Sequence, residues 1–179
     1  AIVGERAYSL INSSSNTDQF FDDVKTIYDD SGKEQAIEFC ENTQGPVASI
    51  FYAGLSKMEK TKEEIEKAVQ NAGGLEMAFL EKNMIWINSV ITIAPMLGFT
   101  GTVVGMIKAF EDIKMANDIS PAVVAGGISQ ALLTTAFGLI VAMIMQVAQN
   151  FFVSMIDKLI LNMEEQSIKI VEYLHNSIK

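Results

Sequence analysis

The sequence predicts an all-α protein, an integral membrane helical bundle whose helices extend well beyond the bilayer. Three observations carry this. The charges are segregated: residues 1–82 hold 8 basic and 15 acidic side chains and residues 157–179 hold 7 charges, while residues 83–156 hold only Lys108, Glu111, Asp112, Lys114 and Asp118. Two runs within that middle stretch carry no charge at all, Asn83 to Ile107 and Ile119 to Ile156, and about 20 helical residues suffice to cross a hydrocarbon core about 30 Å thick. Elsewhere the apolar residues recur at helical spacing, with no strand signal and no internal repeat. Core helices of a soluble bundle would show a polar face at a period of 3.6, and these two runs offer only small or neutral polar residues on any face.

The polar first part reads as a series of helices. Asp18 is placed to cap an amphipathic stretch in which Phe20, Phe21, Val24, Ile27 and Tyr28 share a face, ended by Asp30-Ser31-Gly32. A second short helix runs from Lys33 to about Glu41. Gly45-Pro46 then breaks the chain, and Pro46 suits the first turn of a helix bearing Val47, Ile50, Phe51, Leu55 and Met58 that continues into the Glu/Lys-rich stretch 59–67. Gly73-Gly74 permits a bend. From Leu75 a helix is expected to run without a strong breaker past Trp86, at the interfacial level where Trp is favoured, to Pro95, which should kink it.

The first span covers 83–110 and the second 122–154, joined by a loop at 111–121 too short for anything but an antiparallel hairpin. Residues 1–82 and 155–179 therefore share one side of the membrane; the Lys count there weakly favours cytoplasm, but close to the membrane the tally is nearly even, so charge alone does not settle the orientation. Beyond the second span, Ile156, Leu159, Ile160, Met163, Ile168, Val171, Leu174 and Ile178 mark an amphipathic extension. The chain begins with Ala1 rather than Met, so a processed or trimmed N-terminus is expected, and any upstream membrane segment would lie outside this sequence.

Composition narrows the function. A net charge of −9, with basic residues no more clustered than Lys57, Lys60, Lys62 and Lys67, gives a nucleic-acid backbone nothing to bind. Cys40 and His175, one of each, do not assemble a zinc site, so no metal, cofactor or catalytic centre is expected and the chain is not read as an enzyme. Cys40 reads as a small buried residue and His175 as a surface residue near a helix end. The acidic residues Asp22, Asp23, Asp29, Asp30, Glu38 and Glu41 read as a solvated face rather than a docking site.

Two stripes in the spans are informative. In the first, Ala94, Gly98, Gly101, Gly105 and Ala109 recur at three- and four-residue steps, a packing face of the small-xxx-small kind. In the second, Ala131, Thr135, Gly138, Ala142, Gln146 and Gln149 share a face free of bulky apolar groups. Such a face is either covered by the neighbouring span or lines a channel in a ring of copies, with Thr102 and Thr135 as lumen candidates. Hydroxyls donate and accept without placing a fixed charge at bilayer depth. They cannot store a proton, so if ions move here the titrating group must come from another chain.

The run Ala94-Pro95-Met96-Leu97-Gly98-Phe99-Thr100-Gly101-Thr102-Val103-Val104-Gly105-Met106, followed by Gly127-Ile128-Ser129-Gln130-Ala131-Leu132-Leu133-Thr134-Thr135-Ala136-Phe137-Gly138-Leu139, resembles the ExbB/TolQ family of proton-motive-force motor proteins, distantly related to the flagellar stator protein MotA. Gly45-Pro46-Val47-Ala48-Ser49-Ile50 with Gly54-Leu55 is similar to the segment preceding the family's second long helix, so the likeness covers about residues 45–155. It implies a multi-pass subunit of the bacterial inner membrane with three spans, the first expected upstream, with residues 1–4 as its last turn and Glu5-Arg6 as its cytoplasmic flank, so that residues 5–82 are cytoplasmic and the loop at 111–121 periplasmic. It also implies a pentameric ring around an ExbD/TolR-like single-span partner that supplies a membrane aspartate, a TonB/TolA-like protein beyond it, and transmission of energy to the outer membrane as in TonB-dependent transport. Thr102 and Thr135 match the positions that line the family's lumen, with Gln130 and Gln146 on the same path and Ala94, Pro95, Gly98, Gly101, Gly105 and Gly138 as packing residues. Well-studied members carry a glutamate where this chain has Gln130, so either that acid is dispensable for proton passage or, the reading favoured here, the chain belongs to a branch relying on the partner's carboxylate alone. Competing readings are a TolQ-like or motility stator subunit with the same proton chemistry, and a non-conducting membrane scaffold.

Overall fold

The computed structural model describes residues 2–13, 17–116 and 121–177, and these are helical throughout apart from short turns. The helices are α1 (Ile2–Ser13), α2 (Thr17–Ser31), α3 (Lys33–Asn42), α4 (Pro46–Ser56), α5 (Lys62–Leu80), α6 (Met84–Ala116) and α7 (Pro121–Ser177). They form two compact units, one of residues 3–82 with 152–179 and one of residues 83–151.

The first unit has a conventional apolar core. Gly32, at φ 89, ends α2 in a conformation that side chains disfavour, and Gly45, at φ 137, turns the chain into Pro46 at the first turn of α4. α4 is the central helix: Val47, Ala48, Ile50, Phe51, Gly54 and Leu55 are all buried. A methyl group at Gly54 would lie 3.2 Å from Val69 of α5 and 3.3 Å from Leu174 of α7, so the absence of a side chain there lets all three helices approach. The aromatic face read from α2 is present: Phe20 stacks on Phe39 at 5.5 Å and lies 5.4 Å from Phe51, and Phe21 meets Phe51 and Tyr173 edge-on. Cys40 is buried in this core, and His175 is half-buried rather than on the open surface.

Several local readings are corrected. Asp18 lies inside the first turn of α2, where its carboxylate accepts from Gln166 Nε2 at 2.9 Å and Lys169 Nζ at 2.8 Å instead of capping the helix. α4 does not continue to Lys67: it stops at Ser56, and α5 starts anew on a capping box. The Thr61 hydroxyl accepts from the Glu64 amide at 3.4 Å, and the Glu64 carboxylate accepts from the Thr61 amide at 3.3 Å. The chain does not bend at Gly73-Gly74, which α5 contains; the break falls at 81–83, where Asn83 takes φ 67. Asparagine tolerates that left-handed conformation better than most residues. Arg6 is buried, pairs with Glu5 at 2.7 Å and donates from Nη1 to the Leu80 carbonyl at 3.3 Å, contacts that leave its reading as a cytoplasmic flank untouched.

The second unit is a pair of helices. α6 runs through Pro95 to Ala116, so the connection expected over 111–121 is shorter than read, leaving only residues 117–120, outside those described, between α6 and α7. Both helices are long and apolar enough to cross a membrane, and only 6% of the most apolar 18-residue stretch of each is buried within the chain. A soluble core helix would be mostly covered; here Leu97, Phe99, Val104, Leu132, Phe137 and Ile144 are exposed, the pattern of side chains that meet lipid. The protein is an all-α membrane helical bundle.

Candidate functional site

The two small-residue stripes read from the sequence face each other within the hairpin. Along the seam a methyl group placed on Gly127 would lie 2.5 Å from the Ala109 side chain, one on Gly105 2.8 Å from the Ala131 side chain, and one on Gly98 3.0 Å from the Thr135 backbone. Ala109, Ala131 and Ala142 are buried along the same line. Within one copy, then, Ala131, Thr135, Gly138 and Ala142 of that α7 face pack against the neighbouring span, while Gln146 stays exposed. Lipid offers no hydrophobic drive for this docking, so close van der Waals contact between backbones carries it.

Hydroxyls concentrate at the middle of the seam. The Thr102 and Thr135 hydroxyls are hydrogen-bonded to each other across the helices. Thr102 Oγ1 also lies 3.1 Å from the Ala131 carbonyl and 3.3 Å from the Gly98 carbonyl, and Thr135 Oγ1 lies 3.0 Å from Gly98 O. Thr134, which the sequence reading passed over, donates to Ala131 O at 2.7 Å and reaches Gly98 O at 3.2 Å. Its only signal was its place beside Thr135 in the Leu-Leu-Thr-Thr run. Each hydroxyl has one proton to donate. The Thr102–Thr135 pair therefore has two arrangements: Thr102 donates to Thr135, which donates to Gly98 O, or Thr135 donates to Thr102, which donates to Ala131 O. Both residues are half-buried. The pair is an uncharged hydroxyl contact with two donor–acceptor arrangements, set within a tightly packed seam.

The remaining candidates lie elsewhere. Gln130 is exposed and opens into a cavity of about 340 Å³ that Thr102 and Thr135 do not line; Gly101, Lys108, Asp112 and Thr134 do. Gln146 is exposed and donates from Nε2 to Asn150 Oδ1 at 2.9 Å. Of the packing residues, Ala94 and Gly138 meet directly and Gly98 is buried, while Gly101, Gly105 and Pro95 are half-buried. The charge-free runs hold no titratable group, so no side chain within them can store a proton.

An all-helical membrane protein with a small-residue hairpin seam and a pair of hydrogen-bonded threonine hydroxyls within it is the class that the fold and this site define. Residues 42–165 match the MotA/TolQ/ExbB proton channel family, and the chain belongs to that family. It is 28% identical over 157 residues to an ExbB-like biopolymer transport protein of Synechocystis sp., covering 87% of this chain and 75% of that one. It is 30% identical over 145 residues to an ExbB homologue of Methanothermobacter thermautotrophicus, covering 81% of this chain and 51% of that one. With the Tol-Pal system protein TolQ of Pseudomonas aeruginosa it shares 28% identity over 117 residues, 59% of this chain and 51% of the other. The chain thus spans three quarters of one of these relatives and about half of the other two.

Proposed function

We propose that this chain is the ring-forming inner-membrane subunit of a proton-driven motor that works in biopolymer transport. It acts with an ExbD/TolR-like single-span partner, whose membrane aspartate carries the proton, and a TonB/TolA-like protein that passes the work to the outer membrane. The observation that carries the reading is the Thr102–Thr135 hydroxyl pair, set in two charge-free runs, Asn83 to Ile107 and Ile119 to Ile156, that hold no titratable side chain.

In this reading several copies, five by the family likeness, surround the partner's helices with the hydroxyl edge of each seam turned toward them. A proton from outside neutralises the partner carboxylate. The neutral acid then passes the ring without the penalty of dragging a fixed charge through low dielectric. The Thr102 and Thr135 hydroxyls exchange donor and acceptor roles as it passes, so no hydrogen-bonding group is left bare at any position. Release on the cytoplasmic side restores the charge and biases the partner's next displacement. One elementary charge is worth about 2.3 kcal/mol per 100 mV, so several protons accompany each mechanical step.

The test is proton uptake into liposomes holding this protein with its single-span partner under an imposed membrane potential. Uptake that disappears when the partner aspartate becomes asparagine supports the motor. Uptake that persists refutes the assignment of the carrier acid, and an assembled complex that takes up no protons at all speaks for a scaffold.

A further inference from the structure

The cavity beside the seam has a polarity that the proton relay does not use. It holds about 340 Å³ between α6 and α7, and its wall includes Gly101, Val104, Lys108, Asp112, Gln130 and Thr134. Because α6 continues to Ala116 as a helix, Lys108 and Asp112 stand four residues apart on one face of it, about 6 Å along its axis. Among the described residues neither has an ion-pair or hydrogen-bond partner, and the Gln130 amide has none either. One cation, one anion and one free amide thus share a groove at the end of a membrane hairpin, beside exposed Val104 and Ile107.

We propose that this groove binds the headgroup of a zwitterionic phospholipid with a primary amine, of the phosphatidylethanolamine type. Such a headgroup carries a phosphate and an ammonium on a two-carbon bridge, and the groove offers the complementary pair in the same order of size: Lys108 for the phosphate, Asp112 for the ammonium. Gln130 then donates to the ester or phosphate oxygens, and the acyl chains lie along Val104 and the apolar flank of α6. The choice of lipid follows from charge. An anionic headgroup satisfies Lys108 but is repelled by Asp112. A phosphatidylcholine headgroup has a quaternary nitrogen without an N–H and cannot form the charge-assisted hydrogen bond to Asp112 that a primary ammonium forms.

The test is native mass spectrometry of the full-length protein with phosphatidylethanolamine, phosphatidylcholine and phosphatidylglycerol of identical acyl chains. The wild type should bind the ethanolamine lipid about tenfold more tightly than either other lipid, the size of one charge-assisted hydrogen bond. Asp112→Asn should abolish that preference and bring phosphatidylglycerol to the front. Gln130→Glu, which removes no anion and adds one, should strengthen discrimination against phosphatidylglycerol. Lys114→Gln, which alters charge outside the groove, should leave the order unchanged. Equal binding of all three lipids by the wild type, as when a second copy of the chain closes the groove, overturns the proposal, as does an order that survives Asp112→Asn in protein of unchanged helical content.

Discussion

A methyl group on Gly138 of α7 would come within 2.6 Å of the Ala94 carbonyl oxygen of α6. Backbone, not a flexible side chain, meets the added atom, so the helices must separate to admit it. Gly138→Ala should therefore destabilise the hairpin by about 1–3 kcal/mol, the usual cost of overpacking. Gly126→Ala, with nothing within 4 Å, is the matched control and should change stability by no more than about 0.5 kcal/mol. Denaturant unfolding of the two variants in detergent micelles, followed by circular dichroism, compares them.

The Asp18 contact fixes a pH window for the first unit. Hydrogen bonds from Lys169 and Gln166 hold the Asp18 carboxyl below its ordinary value of 3.8, and the same contact, with Glu165, holds Lys169 above 10.5. For Asp18, whose folded value is depressed, the stabilisation is present above 3.8 and is lost as pH falls through the lowered value. For Lys169, whose folded value is raised, it is present below 10.5 and is lost as pH rises through the raised value. Docking of α2 on α7 should be insensitive to pH between these limits. Asp18→Asn should flatten the acid limb of a stability profile measured by pulse proteolysis, and Lys169→Met should flatten both limbs.

Burial pushes the Cys40 thiol up to about 12. The thiolate is the reactive form, so Cys40 should resist maleimide at pH 8 in the folded protein and react within minutes once the first unit is unfolded in denaturant. Labelling as fast in the native state as in denaturant would place Cys40 outside the core.

Arg6 is almost wholly buried, and its donation to Leu80 O occupies a carbonyl at the C-terminal end of α5, where helical partners run out. Arg6→Ala should cost about 2–3 kcal/mol, combining the charged hydrogen bond with lost packing of the stem, and Arg6→Met should recover part of it. Hydrogen exchange at the Glu81 and Lys82 amides should rise in both variants if the contact holds the turn.

The helical class, the two spans and the facing small-residue stripes were legible because each is a property of periodicity and charge along one chain. Thr102 and Thr135 were legible as a pair through their place in the two motifs. The breaks at Ser56 and at Asn83 were not. The first depended on the Thr61–Glu64 capping box, four short-range atoms within a stretch whose composition is helical on both sides. The second depended on a left-handed asparagine, which no periodicity announces. Asp18 looked like a cap because local rules favour Asp there, and a partner 151 positions away in the sequence outbid them. Asp112 read as a loop residue until α6 proved to extend past it.

The central claim is that the Thr102–Thr135 relay lies on the proton path. It is tested most directly by proton uptake into liposomes holding the assembled complex, with Thr135→Val compared to wild type and to Thr135→Ser. Valine keeps the volume and removes the hydroxyl, whereas serine keeps the hydroxyl. Potential-driven uptake should fall at least about tenfold with valine, matching the loss of about 1.4 kcal/mol or more at the relay, and should be largely retained with serine, the complex staying assembled in both. Unchanged uptake by an assembled Thr135→Val complex would contradict the account and return the hydroxyl pair to helix packing alone.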